Sequence, residues 1–259
     1  MFKGVPPLLE AAGLADRMIQ EALGAVDSED VDAIAELQGR FRADEDVQRL
    51  FGAALRHVGV DAARTYWDPL YLRVVPPMAD GEDQVGRIGF HRDTWASNAL
   101  AQTNWWVTIR PLSADRTLAF YPHYWSRPIE NTSAGWDLDA IRERRRTGER
   151  EVLPIVPEPT EPVDTSSELR VVTEPGDLLC FSGAHLHATV PNVSARTRCS
   201  VELRTVNADD LERGRGAPDL DGLAPVVPLE WFHSMVDGSA LTREDAEQGL
   251  SSLNRKDRG

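Results

Sequence analysis

The chain has 259 residues, 41% of them hydrophobic, a formal charge of −14 and a pI near 4.9. That charge argues against nucleic acid or an anionic membrane as the main partner, and the apolar content argues against disorder. The length allows one large domain with a proper core, as all-β barrels of this size often are.

Two cysteines, Cys180 and Cys199, lie outside any CxxC pattern. They read as buried apolar residues in a reducing cytoplasm. The N-terminus, MFKGVPPLLEAAG, carries no long apolar run of the signal-peptide kind. The longest uncharged run, Thr94 to Ile109, is too short and polar to span a bilayer. The expectation is a soluble, cytoplasmic protein.

Residues 7 to 58 read as helices that pack outside a sheet. In SEDVDAIAELQGRF, Ser28 is the expected N-cap with acids in the first turn, and Val31, Ile34, Leu37 and Phe41 form one apolar stripe. Val47, Leu50, Phe51 and Ala54 form a second. From Thr65 the pattern turns to strands. TYWDPLYLRVVPP predicts one strand closed by a Pro pair, and MADGEDQ a turn.

GRIGFHRDTW, residues 86 to 95, then carries His91 and Asp93. On a strand, with its period of two, these would point to the same face. An imidazole beside a carboxylate supplies two members of a 2-His-1-carboxylate facial triad, which holds non-haem Fe(II) and leaves three positions open. Trp95, two residues on, either walls such a pocket or belongs to the core.

Residues 101 to 112 predict a further strand, with Gln102, Asn104, Trp106 and Thr108 on one face and Thr103, Trp105, Val107 and Ile109 on the other. RTLAFYP predicts a shorter one. Residues 123 to 167 interrupt the strands with an aromatic loop, a short helix LDAIRERRR capped by Asp137, and a proline-rich connector. Such an insertion suits a lid or pocket wall, or a surface excursion in which Arg142, Arg144, Arg145 and Arg146 are solvated. Tyr121, Tyr124, Trp125 and Trp136 are substrate contacts or packing; His57, His123 and His233 have no ligand-like partners in sequence.

Strands resume in ELRVVT and LLCF, separated by the turn Glu174 to Asp177. SGAHLHATV leads to a turn at Pro191-Asn192 and a last strand from about Thr197 to Val206. On that strand Arg198, Ser200, Glu202 and Arg204 alternate with Cys199, Val201 and Leu203, a polar interior face against an apolar outer one. The acidic tail predicts one helix near Thr242.

Both His185 and His187 are available as the third ligand. His91-Arg92-Asp93, followed by PGDLLCFSGAHLHATVPNVSARTR, resembles the phytanoyl-CoA dioxygenase group of Fe(II)/2-oxoglutarate oxygenases over roughly residues 65 to 206. By that resemblance the distal histidine is His187, Arg198 pairs with the distal carboxylate of 2-oxoglutarate, and Thr189 supports it. The group's acidic-Asn-Gly segment is replaced here by LSADRTLAFYP. Arginine suits a buried carboxylate, because its planar fork meets both oxygens and stays charged. Gln102 and Asn104 either contact 2-oxoglutarate or satisfy backbone groups.

The resemblance implies a double-stranded β-helix of jelly-roll, cupin-like type in a mainly β chain with flanking helices. The expected organisation is a single domain over 1–259: N-terminal helices in 1–62, the core in 63–206 with the 123–167 insertion, and a C-terminal segment in 207–259. The implied activity is dioxygenation of a small molecule, such as an amino acid derivative or natural-product intermediate, using Fe(II), 2-oxoglutarate and O2. Asp93 favours hydroxylation over halogenation, since related halogenases carry a small residue there. The rivals are desaturation, epimerisation or cyclisation at the same site, and a non-catalytic or 2-oxoglutarate-independent cupin-like metal protein.

Overall fold

The computed structural model describes residues 1–22, 24, 30–77, 87–97, 99–137, 140, 141, 143, 156–224 and 229–242. Among the described residues the chain opens with the helices α1 (Pro6–Glu21), α2 (Val31–Ala43) and α3 (Glu45–His57). A proline at the first turn starts α1, where a missing N–H costs nothing. Its buried Leu8, Ala11, Ala12, Ala15, Met18 and Ile19 recur at helical spacing. Asp30 caps α2 by accepting from the Ala33 amide at 3.1 Å, and Asp44 caps α3 by accepting from Val47 at 2.9 Å. The cap of α2 is thus the acid adjoining the helix; Ser28 lies outside the described residues.

The strands are β1 (Thr65–Trp67), β2 (Tyr71–Val75), β3 (Thr103–Thr108), β4 (Leu118–Phe120), β5 (Leu169–Val171), β6 (Leu179–Ser182), β7 (His187–Thr189), β8 (Arg198–Asn207) and β9 (His233–Ser234). One antiparallel sheet runs β6-β3-β8-β1-β9, with β2 also on β8; a second runs β5-β4-β7. Because β3 occupies one edge of β8, β1 and β2 share the other, at Thr205–Asn207 and Arg198–Glu202 respectively. The single strand expected over 65 to 75 is therefore two, broken at Asp68-Pro69-Leu70, where proline lacks a ladder donor.

Side-chain alternation sorts the two faces of the larger sheet. Trp105 and Val107 of β3, Ile109 just beyond it, and Cys199, Val201 and Leu203 of β8 join Leu72 and Val74 in one cluster with α1, α2 and α3. On the opposite face Trp106 packs with Leu118 and Phe120 of β4 and Leu179 of β6, so the two sheets face each other. Behind the smaller sheet, Ala119, Ala188 and Val190 pack against Tyr121, Tyr124 and Ile129. Tyr121 and Tyr124 are thus core.

The fold is mixed α and β with antiparallel sheets, and the expected flanking helices form a larger share of it than a mainly β chain implies. Helices of 16, 13 and 13 residues stand against strands that, β8 apart, have six residues or fewer. The outer face of the larger sheet is apolar and needs a helical layer to cover it. Of the insertion helix only 140, 141 and 143 are described, all helical; Arg142 and Arg144 to Arg146 lie outside the described residues, as do the turn MADGEDQ from Met78 on and the helix expected after Thr242. No helix among the described residues is long and apolar enough to cross a membrane.

Candidate metal centre

His91 and His187 face each other across an antiparallel bridge between the His91 segment and β7. Each backbone amide donates to the other's carbonyl, at 2.9 and 3.0 Å. Direct opposition in such a bridge sets side chains close together, and the two imidazole centroids lie 4.2 Å apart. Beyond His91 the chain does not continue as a strand. The Asp93 carbonyl accepts from Ala96 and Ser97, opening the short helix α4 (Thr94–Ser97). This corrects the strand-parity reading of His91 and Asp93: a bridge followed by a helical turn brings the two side chains together. Ligand atoms of His91, Asp93 and His187 all lie within 4.8 Å of one another, and all three residues are buried.

Both imidazoles are oriented in the same way. His91 Nδ1 lies 2.8 Å from the Gly89 carbonyl and His187 Nδ1 lies 2.9 Å from the His185 carbonyl. A carbonyl partner requires Nδ1 to carry the proton, which leaves each Nε2 bare as a metal ligand. Burial, and then the neighbouring His187, push the His91 pKa down to about 3, so its imidazole is neutral, as a ligand must be. Burial acts to raise the Asp93 carboxyl, but Arg204, His187, His91 and a hydrogen bond from Asn104 together hold it below the usual carboxylate range. Two neutral nitrogens and one carboxylate form a donor set that fits a divalent metal such as ferrous iron.

His185, the competing histidine, is not part of this cluster. Its ring lies 4.4 Å from that of Trp125 and 6.1 Å from that of Phe120.

The cavity at the triad is also lined by Thr189, Asn104, Trp106, Arg73, Glu202 and Arg204. Asn104 donates to Asp93 Oδ2, and Gln102 Nε2 donates to Asn104 Oδ1 at 2.7 Å, so Gln102 reaches the triad only through its neighbour. Thr189 Oγ1 accepts from the Ile88 amide at 3.4 Å.

Arg198 is 1% exposed and lies further along the inward face of β8. Its Nη1 donates to the Thr117 carbonyl at 3.1 Å, while Nε and Nη2 have no hydrogen-bond partner. Burial, then the neighbouring Arg73 charge, push its pKa down to about 9. A buried guanidinium with two unused donors is costly, and an incoming carboxylate would satisfy both. Trp95 stands apart. It packs with Tyr121, Tyr124 and Leu186 and donates its indole N–H to Asp221 at 2.7 Å, away from the triad cavity.

Several residues here were missing from the sequence-level site. Arg73 and Glu202 form an ion pair within the cavity. Burial acts to raise the Glu202 carboxyl, yet Arg73 holds it below its ordinary value. Ser200 Oγ and Trp106 Nε1 are buried without hydrogen-bond partners, on the same inward face as Arg198. Arg204 holds Asp93. The polar alternation of β8 was the available signal for this group.

No family model and no curated protein matches the sequence. Among solved structures, the chain is similar to the non-haem monooxygenase ThoJ in its apo form, with 15% identity and a TM-score of 0.51, covering 100% of this chain and 92% of that one. It is also similar to EvdO2 from Micromonospora carbonacea var. aurantiaca in complex with 2-oxoglutarate (15% identity, TM-score 0.43), over 65% of this chain and 62% of that one, so it spans less than two thirds of EvdO2. The epimerase SnoN, in complex with Fe3+, α-ketoglutarate and nogalamycin RO, aligns at 15% identity and a TM-score of 0.46 over 93% of this chain and 90% of that one. At these identities the likeness concerns the fold: this chain, with its buried His-Asp-His cluster, shares the architecture of the non-haem monooxygenase ThoJ.

Proposed function

We propose that this chain is an Fe(II)- and 2-oxoglutarate-dependent oxygenase of the phytanoyl-CoA dioxygenase-like type, acting as a single domain on a small molecule. The observation that carries the reading is the pairing of a buried His91–Asp93–His187 cluster with a buried Arg198 that has two unused donors. In the strand order, β1/β2-β8-β3-β6 opposes β5-β4-β7 with the His91 segment beside β7. This supports reading the core as a double-stranded β-helix.

Bound iron, with 2-oxoglutarate and O2, supplies the oxidation: a substrate C–H becomes C–OH while 2-oxoglutarate leaves as succinate and CO2. The protein's own residues bind and orient. His91 and His187 offer Nε2, fixed by their carbonyl partners, and Asp93 offers a carboxylate oxygen. Arg198 Nε and Nη2 take the distal carboxylate, with the Thr189 hydroxyl beside the metal position.

The test is anaerobic addition of Fe(II) and 2-oxoglutarate, monitored by the weak visible charge-transfer band of the chelate. The band is expected in wild type and absent in His91→Ala and Arg198→Ala. Metal binding without a band in wild type would refute the 2-oxoglutarate assignment and favour a cupin-like metal protein. Product analysis then separates hydroxylation from desaturation, epimerisation or cyclisation.

A further inference from the structure

Asp93 is gripped from behind. Arg204 directs one edge of its guanidinium, Nε at 3.3 Å and Nη2 at 3.2 Å, to Asp93 Oδ1. The remaining nitrogen, Nη1, donates to Asp68 Oδ2 at 2.8 Å, and the Arg204 amide donates to Asp68 Oδ1 at 2.6 Å. The Asp68 amide in turn donates to the Arg204 carbonyl at 3.0 Å. Asp68 stands where β1 and β2 break, immediately before Pro69. That break lets its carboxylate meet β8 in place of a regular ladder. The Asp68 side chain is 3% exposed and the Arg204 side chain 24%, so the guanidinium is largely held between two buried carboxylates.

The two Asp93 oxygens therefore have different partners. Oδ2 accepts from Asn104 and lies 3.6 Å from His187 Nε2, the nitrogen that His187 offers as a ligand. Oδ1 faces Arg204. Left alone, a carboxylate turns readily about its Cβ–Cγ bond and can offer a metal either oxygen or both. The electrostatics bear on the same point. One guanidinium shared by two carboxylates leaves the group with a net negative charge, which a divalent cation needs. Paired with Asp93 alone, the same guanidinium would cancel the ligand's charge.

Building on the iron reading above, we infer that Arg204 and Asp68 are positioning residues: Arg204 fixes Asp93 so that Oδ2 alone faces the metal, and Asp68 holds Arg204 while offsetting its charge. Neither residue is a ligand.

The test is a titration of the full chain with Co(II) alone, following affinity and the visible ligand-field bands, whose intensity reports coordination number. Changes to groups that orient a metal ligand typically weaken affinity about 10- to 100-fold. That range is expected for Arg204→Met, with altered band intensities from a freed carboxylate. Asp68→Asn keeps an acceptor for the Arg204 amide but loses the charge, and about a tenfold loss is expected. Should Arg204→Met fail to fold, Arg204→Lys decides. It keeps a cation but cannot span both carboxylates, so about tenfold weaker binding is expected there too. Wild-type affinity and an unchanged spectrum in the folded variants would overturn the role of Arg204 and leave the iron reading intact. A wild-type chain that takes up no Co(II) would overturn the metal centre itself, and this inference with it.

Discussion

The two faces of β8 do opposite work with the same backbone. On the outer face Cys199, Val201 and Leu203 are almost fully buried among apolar helix residues. They contribute as any core does, through area removed from water and close packing. On the inner face Arg198 and Ser200 are just as buried, yet Arg198 Nε and Nη2 and the Ser200 hydroxyl have no partner. Burial of that kind lowers stability. Along β8 the apolar groups that hold the sheet thus alternate with inward polar groups, two of which, Arg198 and Ser200, the fold carries at a cost. The difference teaches that burial alone does not mark a core residue. What marks it is whether every buried group has a partner inside the protein.

The largest effect expected from testing this contrast is at Arg198. Arg198→Met keeps most of the volume and removes the charge. Loss of one partner from a charge-assisted carboxylate pair typically costs 2–5 kcal/mol or more. Affinity for 2-oxoglutarate, measured anaerobically by calorimetry, should therefore fall by at least about 30-fold. The thermal midpoint of the metal-free protein should stay level or rise, because the buried guanidinium gives up its hydration and gains only the Thr117 carbonyl in return. A falling midpoint would make Arg198 a structural residue and erase the contrast. Val201→Ala is the matching change on the outer face. With Val201 at 0% exposure, about 2 kcal/mol of stability should be lost in urea melts, while Co(II) affinity of the folded protein stays unchanged. Weaker metal binding there would mean that the two faces are coupled through the backbone.

The legible part of the molecule was the part governed by local periodicity. Helical stripes marked Val47, Leu50, Phe51 and Ala54 as core, and the strand alternation of residues 103 to 109 and 198 to 204 matches the observed faces. Trp95 shows where periodicity misleads. Two residues beyond Asp93 on a strand it would share the metal's face. In the helical turn of α4 each residue advances by about 100°, which carries the indole round to Asp221. The role of Asp68 was illegible for a different reason. It depends on a pairing with Arg204 across 136 positions of sequence, set by a strand break rather than by a motif. His185 and His187 share parity, so only the family pattern chose between them. The structure separates them, because β7 begins at His187 and puts it opposite His91.

The smallest effect is also the sharpest discriminator, because it predicts opposite signs in two measurements. Ser200 has a buried hydroxyl with no partner, on the inward face between Arg198 and Glu202 and opposite Thr108 of β3. Removing a buried polar group that makes no hydrogen bond relieves a desolvation penalty. Ser200→Ala should therefore stabilise the metal-free protein, by about 1 kcal/mol in urea melts. If the hydroxyl is unused because its partner is a ligand, the same variant should bind 2-oxoglutarate more weakly, by about 0.5–1.5 kcal/mol. A gain in stability with unchanged binding would limit the ligand-facing part of the strand to Arg198. A loss of stability would mean that Ser200 packs as the outer-face residues do, and the division between the faces would then fall within the inner face rather than between the two.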